Sequence, residues 1–360
     1  GLFDDRYMFD INFYNRRTED LLFKNLGLPA SSGFGGVAWQ NVGTMDNNGW
    51  EFNFYTVNAL RGQDFSLDFN FNLSNYVNTI VELREDVLRS HNADYNFNNG
   101  SYLTRIQENN SYGSIYGFRY KGVYQYDTHI PGVQENAPVA RDENGEVFVD
   151  EYGRPLPMVF AYNRSNEYRF RGGDAIYEDI NYDGSIDELD IVYLGNSNPK
   201  VNGGFGLTLR YKRLAIVPFF NFRYGNKIVN SARMHAENMY SNNNQSVAVN
   251  WRWRKDGDET EIPRALFQGG YNWLGSDRYV EDGSFLRMKH LTLSYSVAPE
   301  LLKRYNMNQL SLYMTFNNIF TLTRYTGVDP EVGYGSFSVS TDNNRTPRSR
   351  DFTFGLSVGF

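Results

Sequence analysis

Residues 351–360 read Asp351-Phe352-Thr353-Phe354-Gly355-Leu356-Ser357-Val358-Gly359-Phe360. Apolar side chains occupy every even position of this stretch, and polar or glycine residues occupy every odd position. Such strict alternation predicts a β-strand with one apolar and one polar face. In a soluble sandwich that strand would be an aggregation-prone edge, whereas in a membrane-spanning barrel its apolar face meets lipid and its edge pairs with a neighbouring strand. The stretch therefore favours a transmembrane β-barrel.

The composition fits a barrel without requiring one. The 360 residues carry a formal net charge of −7, contain no cysteine and include 27 Tyr and 27 Phe. A polar chain with many aromatic residues is expected of a barrel, whose lumen and loops are wet and whose rims carry aromatic girdles. A soluble, aromatic-rich, glycan-binding sandwich fits the composition equally well. Without cysteine there are no disulfides or thiolate metal sites, and the acidic balance argues against a nucleic-acid partner.

The alternation recurs in several other stretches of the chain. The clearest of them are 50–54, 65–73, 205–222, 291–297 and 310–316. The longer runs reach about nine to eleven residues, the length that a tilted strand needs to cross a bilayer, whereas soluble strands average about five or six. Length and alternation together favour an all-β, antiparallel transmembrane barrel with about ten strands in this chain.

Short turns and very long connections separate these strands. The short turns are 58–63 and 212–213, and the long loops are 75–115, 124–200, 226–283 and 326–350. This contrast is expected where one end of a barrel faces the periplasm and the other faces the outside. We therefore expect the long loops, 124–200 included, to be extracellular. Because the chain opens within a strand, we expect 1–360 to be the C-terminal portion of one larger barrel domain.

Residues 179–190 match the spacing of calcium-binding loops, with Gly184 at the sharp turn. The candidate ligands are Asp179, Asn181, Asp183, Ser185 through its carbonyl, Asp187 and Asp190. Oxygen ligands without His or Cys favour calcium over zinc or copper. The alternative is an Asx-rich, solvated turn that holds no ion. Flanking helices are not evident, so a bound ion would stiffen a long extracellular loop.

Two tryptophans and one histidine are further candidates. Trp251 and Trp253 alternate along the chain, so in an extended segment they would share one face. They could stack on sugar rings or grip a peptide, or they could belong to an aromatic girdle or to loop packing. His290 has the same parity as Leu286 and Met288, which predicts a structural position on their face. Because no zinc-protease motif or nucleophile elbow is present, we expect no enzymatic activity.

Four longer stretches carry a pattern that extends over nearly the whole chain. They are 41–51, 173–205, 284–295 and 317–331, with 114–123 as a shorter addition. In their order and spacing they resemble the SusC/RagA family of TonB-dependent outer-membrane transporters of Bacteroidetes. The resemblance implies a barrel of about 22 strands in the outer-membrane lipid, of which this chain holds the C-terminal strands.

The same resemblance implies partners and a transport function. It implies import of oligosaccharides or oligopeptides, a SusD-like surface lipoprotein as lid, and energy from the TonB complex. It also implies that the barrel-assembly machinery recognises the terminal Phe360. The plug and the TonB box would lie on sequence outside these residues. A non-transporting subunit that scaffolds surface lipoproteins in a larger membrane assembly is the alternative of a different class.

Overall fold

The computed structural model describes residues 2–3, 6–26, 37–85, 102, 107–162, 166–331 and 339–360. Most of its secondary structure is β-strand. In chain order the strands are β1 (Tyr7–Thr18), β2 (Leu22–Leu26), β3 (Val37–Asn41), β4 (Gly43–Thr56), β5 (Leu60–Arg61), β6 (Phe65–Leu83), β7 (Ser114–Gly117), β8 (Tyr120–Val123), β9 (Val159–Tyr162), β10 (Asn166–Arg169), β11 (Ala175–Tyr177), β12 (Ser185–Ile186), β13 (Val192–Asn196), β14 (Val201–Tyr211), β15 (Leu214–Tyr224), β16 (Lys227–Val229), β17 (Val280–Asp282), β18 (Phe285–Ser296), β19 (Gln309–Asn317), β20 (Thr321–Thr323) and β21 (Asp351–Gly359).

One ten-stranded antiparallel sheet contains all the long strands. Its strands follow the order β1-β4-β6-β14-β15-β18-β19-β21, and the short β5 and β20 pair with β6 and β18. The Lys212-Arg213 turn joins β14 to β15, as the sequence predicts. The predicted strands 50–54, 65–73, 291–297 and 310–316 lie within β4, β6, β18 and β19, apart from Val297, which follows the last residue of β18.

The two faces of the sheet differ in chemistry. A row of apolar side chains lies in register across six strands and consists of Phe9, Phe54, Phe71, Phe205, Phe220 and Met288. One position along each strand, the opposite face carries a row that consists of Asp10, Asn53, Asn72, Gly204, Asn221 and Arg287. We call this second row the polar row. Neighbouring residues of a strand point to opposite faces, so the alternation in the sequence becomes one apolar and one polar surface.

Many side chains of the apolar face are exposed. Phe13 of β1 is 80% exposed, and Phe352 of β21 is 70% exposed. Soluble proteins rarely leave so much contiguous apolar surface uncovered. The exposure is the arrangement expected of strands whose outer face meets lipid.

The long connections fold around a hydrophobic core of their own. We call residues 107–162, 166–200 and 226–283 the loop body. Small sheets form its frame, with β10-β9-β12 as a three-stranded sheet and β11-β8, β13-β7 and β16-β17 as pairs. Its buried core comprises Tyr116, Phe118, Tyr124, Met158, Phe160, Phe170, Ala175, Tyr177, Ile186, Ile191 and Leu274. The loop body is therefore packed like the interior of a soluble domain.

Helices are few in the described part of the chain. The α-helices are α1 (Ser231–Glu237) and α2 (Pro299–Leu302), and 3-10 turns cover Glu188–Asp190, Val247–Trp251, Asp277–Tyr279 and Lys303–Tyr305. Asn230 caps α1 by accepting a hydrogen bond from the backbone N–H of Arg233. Among the described residues, none of the helices has the length and apolar character needed to cross a membrane.

One predicted boundary is wrong. The sequence places the start of a long loop at residue 75, whereas β6 continues to Leu83. The residues from Asn75 to Leu83 pair with the first half of β4. The alternation fades there because this end of β6 carries polar side chains such as Asn75 and Asn78. Backbone pairing, which does not depend on side-chain polarity, extends the strand beyond the apolar pattern.

Candidate functional site

The calcium-type loop at 179–190 begins as a tight, hydrogen-bonded turn. Asp179 accepts hydrogen bonds from the backbone N–H of Gly184 at 2.9 Å and of Asp183 at 3.3 Å. Asp183 in turn accepts from the N–H and the hydroxyl of Ser185, at 2.9 and 2.8 Å. Gly184 has a φ of +86°, a left-handed conformation that glycine adopts without steric cost. The glycine therefore stands where the loop needs its sharp turn.

Asp190 fastens the two ends of this loop together. Its carboxylate accepts from the N–H of Ile180 at 2.7 Å and from the N–H of Asp187 at 2.8 Å. Asp187 begins the 3-10 turn Glu188–Asp190 and caps it by accepting from the N–H of Leu189. Asp190 is fully buried. Burial, with help from the charges of Asp179 and Asp187, raises the pKa of Asp190 to about 6.

The loop is anchored on the core of the loop body. Ile186 is fully buried and pairs with Phe160 where β12 runs parallel to β9. On the other side, Ala140 and Phe148 lie against the Gly184 turn. These contacts hold the backbone of the loop in place. A cation bound there would therefore stabilise the surrounding packing as well as the loop itself.

The donor set suits calcium in its chemistry. Five oxygen-bearing side chains and one backbone carbonyl stand at the spacing that Ca²⁺ loops use, and none of them is sulfur or imidazole. Burial also raises the pKa values of Asp179 and Asp187, because their ionised forms lose hydration there, and a bound cation would favour the ionised forms again. Among the described residues, no three His, Asp or Glu side chains converge as a metal site by themselves. The calcium prediction therefore rests on the spacing of the loop and not on carboxylates already gathered around one point.

The structure separates the two tryptophans that the sequence pairs. Trp251 ends the 3-10 turn Val247–Trp251 and is exposed. Trp253 packs its ring on Gly173, and its indole N–H donates to the carbonyl of Gln125 at 3.1 Å. The expected extended segment is wrong, because Trp251 lies within a 3-10 turn, and the two rings have different surroundings. Trp253 holds the loop body together, whereas Trp251 remains available to a ligand.

An aromatic pair stands out on the polar face of the sheet. The Phe219 and His290 rings stack with centroids 5.4 Å apart and planes at 17°. The Phe219 ring lies over Gly204 and Gly206, where any side chain would collide with it. A β-bulge lies beside the pair, between Phe219 and Phe220. The bulge moves His290 to the face opposite Met288, so its predicted position is wrong, since parity along a strand fails at a bulge.

The polar row ends in a buried ion cluster at Arg287. Its guanidinium contacts Asp329 at 2.6 Å and Glu331 at 2.7 Å, and all three side chains are buried. Arg348 reaches Glu331 from the other side at 2.8 Å. The cluster joins β18 to residues 326–331. No sequence pattern indicates the cluster, because Asp329 and Glu331 follow Arg287 by 42 and 44 residues.

Comparison with known proteins finds receptors that resemble this chain. No protein-family model matches the chain. The TonB-dependent receptor P3 of Formosa agariphila is 29% identical over 372 aligned residues, which cover 100% of this chain and 33% of the receptor. The TonB-dependent receptor SusC of Bacteroides thetaiotaomicron is 26% identical, over 100% of this chain and 31% of SusC. Over its whole length the chain is thus similar to TonB-dependent receptors, SusC among them.

A solved structure supports the fold of this chain. The RagAB peptide transporter superposes with a TM-score of 0.68 at 22% identity, over 99% of this chain and 34% of the RagAB chain. At that identity the likeness concerns the fold alone. It confirms the prediction of antiparallel barrel strands. The segment spans about one third of the length of the curated relatives that it matches, at 33% and 31%.

Proposed function

We propose that this chain forms part of the wall and the outer loops of an outer-membrane importer for oligosaccharides or oligopeptides. The contrast between the two faces of the main sheet carries the proposal. Exposed aromatic and aliphatic side chains cover one face, which suits lipid, and the polar row lines the other, which suits a water-filled lumen. The loop body covers one end of the sheet, where cargo would enter.

The proposal includes the rest of the receptor and its partners. We propose that further strands complete a barrel of about 22 strands around a plug. A SusD-like lipoprotein would close the outer mouth, and the TonB complex would supply energy. The barrel-assembly machinery would recognise Phe360, whose side chain is exposed beyond the end of β21. No nucleic acid takes part.

We also propose that Ca²⁺ stiffens the loop body. The ligands would be the carbonyl of Ser185 and the side chains of Asp179, Asn181, Asp183, Asp187 and Asp190. The ion would neutralise the carboxylate charges of this loop. Among the two tryptophans, Trp251 is the candidate for cargo contact because its ring is exposed. The ion has a structural role in this proposal, and no covalent chemistry follows from it.

Deletion of the gene in the native host tests import. Uptake of labelled oligosaccharides and oligopeptides should fall in the deletion strain, return with the full-length receptor, and fall again with a protonophore. The receptor should require detergent for extraction and should co-purify with a surface lipoprotein. If the deletion strain takes up these compounds normally but loses lipoproteins from its surface, the import proposal is wrong and the scaffold subunit is the better interpretation.

A further inference from the structure

A cavity of about 400 Å³ lies between α1 of the loop body, the loop that carries Asn243 and Asn244, and a loop outside that body that carries Asn343 and Asn344. Its polar lining consists of Ser231, His235, Asn243, Asn244, Asn343 and Asn344. None of these residues belongs to the calcium-type loop or to the polar row. The volume lies within the range of about 300–1,000 Å³ that small-molecule sites occupy.

The wall formed by α1 is rigid. Ser231, Ala232, His235 and Ala236 lie at the spacing of one helix face, so a single side of α1 borders the cavity. The N–H of Ala232 donates to the carbonyl of Asp342 at 2.9 Å, which ties the helix to the loop that carries two of the asparagines. Tyr325 donates to the carboxylate of Asp342 at 2.6 Å, and both groups are buried. The two walls are therefore held at a fixed separation.

The asparagine side chains that border the cavity have unused hydrogen-bonding capacity. Within the described part of the chain, no hydrogen bond engages the amides of Asn243, Asn244 and Asn343. Asn344 has a φ of +61°, a left-handed conformation that Asn tolerates better than most residues. Each amide offers two donors and one acceptor oxygen. Such a set matches a ligand that both donates and accepts on several sides.

His235 adds an acceptor to this set. Its Nδ1 lies 2.7 Å from the carbonyl oxygen of Ser231, so in the neutral ring Nδ1 carries the proton. Nε2 is then left as an acceptor. Trp273 stands edge-on behind the ring at 5.9 Å and holds its orientation. Among the residues that the structure describes, no charged side chain borders the cavity.

We propose that this cavity binds a short segment of a neutral oligosaccharide. Sugar hydroxyls donate and accept in many directions, as the amides and the imidazole require, and a neutral sugar needs no charged partner. Ala232 and Ala236 add a small apolar surface suited to the C–H face of a sugar ring. A peptide would instead present charged termini and varied side chains, for which the cavity holds neither counter-charge nor deep apolar pocket.

The biological role of this site, which is capture of glycan cargo before import, rests on the proposed function, whereas the binding itself does not. Calorimetric titration of the full-length receptor in detergent tests the binding itself. The probes are maltose, cellobiose and mannobiose, with N-acetyl-trialanine amide as a neutral peptide. The test variant is Asn243→Ala combined with Asn343→Ala. The matched control is Asn242→Ala, an exposed asparagine of the same loop that does not border the cavity.

We expect saturable binding of at least one disaccharide by the wild type and by Asn242→Ala. The double variant should bind about tenfold more weakly, because each amide contributes a modest net hydrogen-bond energy. Ala236→Phe should abolish binding by filling the cavity. Absence of disaccharide binding, equal binding by the double variant, or binding of the peptide alone would overturn the inference. A receptor that binds the sugar but imports nothing would contradict the import proposal and leave this site in place.

Discussion

The main sheet and the loop body place their apolar residues in opposite ways. Phe13 and Phe352 of the sheet are 80% and 70% exposed, whereas Phe160 and Ile186 of the loop body are both 0% exposed. The sheet gains its cohesion from backbone pairing along its strands. The loop body gains its cohesion from a buried core and from buried ion pairs such as Arg278 with Glu237. One chain thus combines a sheet whose apolar surface suits lipid with a loop body whose core is formed by the hydrophobic effect.

This contrast implies that the two regions lose structure under different conditions. Detergent shields the apolar face of the sheet, so the sheet should resist treatments that open the loop body. Substitutions in each region should then act mainly on that region. The following predictions test whether that separation holds.

The largest effect should follow removal of the Phe160 ring from the core of the loop body. Phe160 is fully buried and contacts Tyr271 with ring centroids 4.3 Å apart. Phe160→Ala should cost the loop body about 3–5 kcal/mol through lost burial and a new cavity. Hydrogen exchange of 107–162 and 226–283 should rise strongly, while exchange in the main sheet stays slow.

Phe267→Ala serves as its control, because that ring is in the same body but is 63% exposed. It should change neither exchange rate nor proteolysis. If Phe160→Ala speeds exchange in β14 and β15 as much as in the loop body, the two regions unfold as one and the separation is wrong.

Breaking the Arg287 cluster should have the next largest effect, and it should act on the junction between β18 and residues 326–331. Arg287→Met leaves Asp329 and Glu331 buried without their cation and should destabilise residues 326–331 by about 3 kcal/mol. Arg210→Ala is the control, since Arg210 is an exposed residue whose pairing with Asp68 is long, at 3.4 Å. Thermal scans and proteolysis of this segment measure the difference.

The same cluster has a defined pH dependence. Burial opposes ionisation of Asp329, but hydrogen bonds from Arg287 and from two backbone N–H groups outweigh it and lower the pKa of Asp329. A lowered pKa contributes stability above the unfolded value of about 4, and that stability is lost as the pH falls through the folded value. Acid below pH of about 4 should therefore weaken the wild-type junction more than that of Arg287→Met. An equal response would show that Asp329 is not paired in solution.

The sequence predicts the sheet better than the loop body for a physical reason. Strand faces follow from alternation between neighbouring residues, so β14, β15 and β21 are evident without a structure. Side-chain position after a β-bulge is not evident, as His290 shows, because a bulge changes parity without leaving a local pattern. The turn at Gly184 was predictable, since its chemistry is local.

The contacts of the loop body depend on long-range packing instead. Arg264 contacts the buried Asp174 at 2.7 Å across 90 residues, and no short motif marks either of them. The same holds for the cavity, since Asn243 and Asn343 come together only through the fold. Trp253 likewise packs in the loop body because its ring lies against Gly173, which is distant in sequence and has no side chain.

Calcium removal should have an intermediate effect, confined to the loop body. At a free concentration about a hundred times the dissociation constant, a bound ion contributes about 2.7 kcal/mol. Chelation should therefore lower the melting temperature of the loop body, and Asp190→Asn should abolish the response. Glu188→Gln, an exposed acid in the same turn, should retain it. If the melting temperature is the same with calcium and with chelator, the loop is an Asx-rich turn that holds no ion.

The pH dependence of the calcium-free loop follows from Asp190. Its pKa is raised to about 6 by burial, so the protonated form favours the folded loop. That stability is present below the unfolded pKa of about 4 and is lost as the pH rises through about 6. Calcium should suppress this loss. A calcium-free loop whose stability is the same at both ends of this range would contradict the burial of Asp190.

The smallest effect should come from a pair of glycines in the main sheet, and it tests how the sheet is held. A Cβ at Gly203 would meet the backbone oxygen of Asn72 on β6, which cannot move without opening the ladder. A Cβ at Gly355 would meet only the outer end of the Tyr313 ring, which is 41% exposed and free to rotate. Gly203→Ala should therefore destabilise the folded barrel by about 1–2 kcal/mol, and Gly355→Ala by less. Gel mobility of unheated against heated samples measures the folded fraction as temperature rises. If Gly355→Ala lowers the transition temperature as much as Gly203→Ala, side-chain packing on the polar face stabilises the sheet as much as its backbone ladder does. The sheet and the loop body would then differ less in what holds them together.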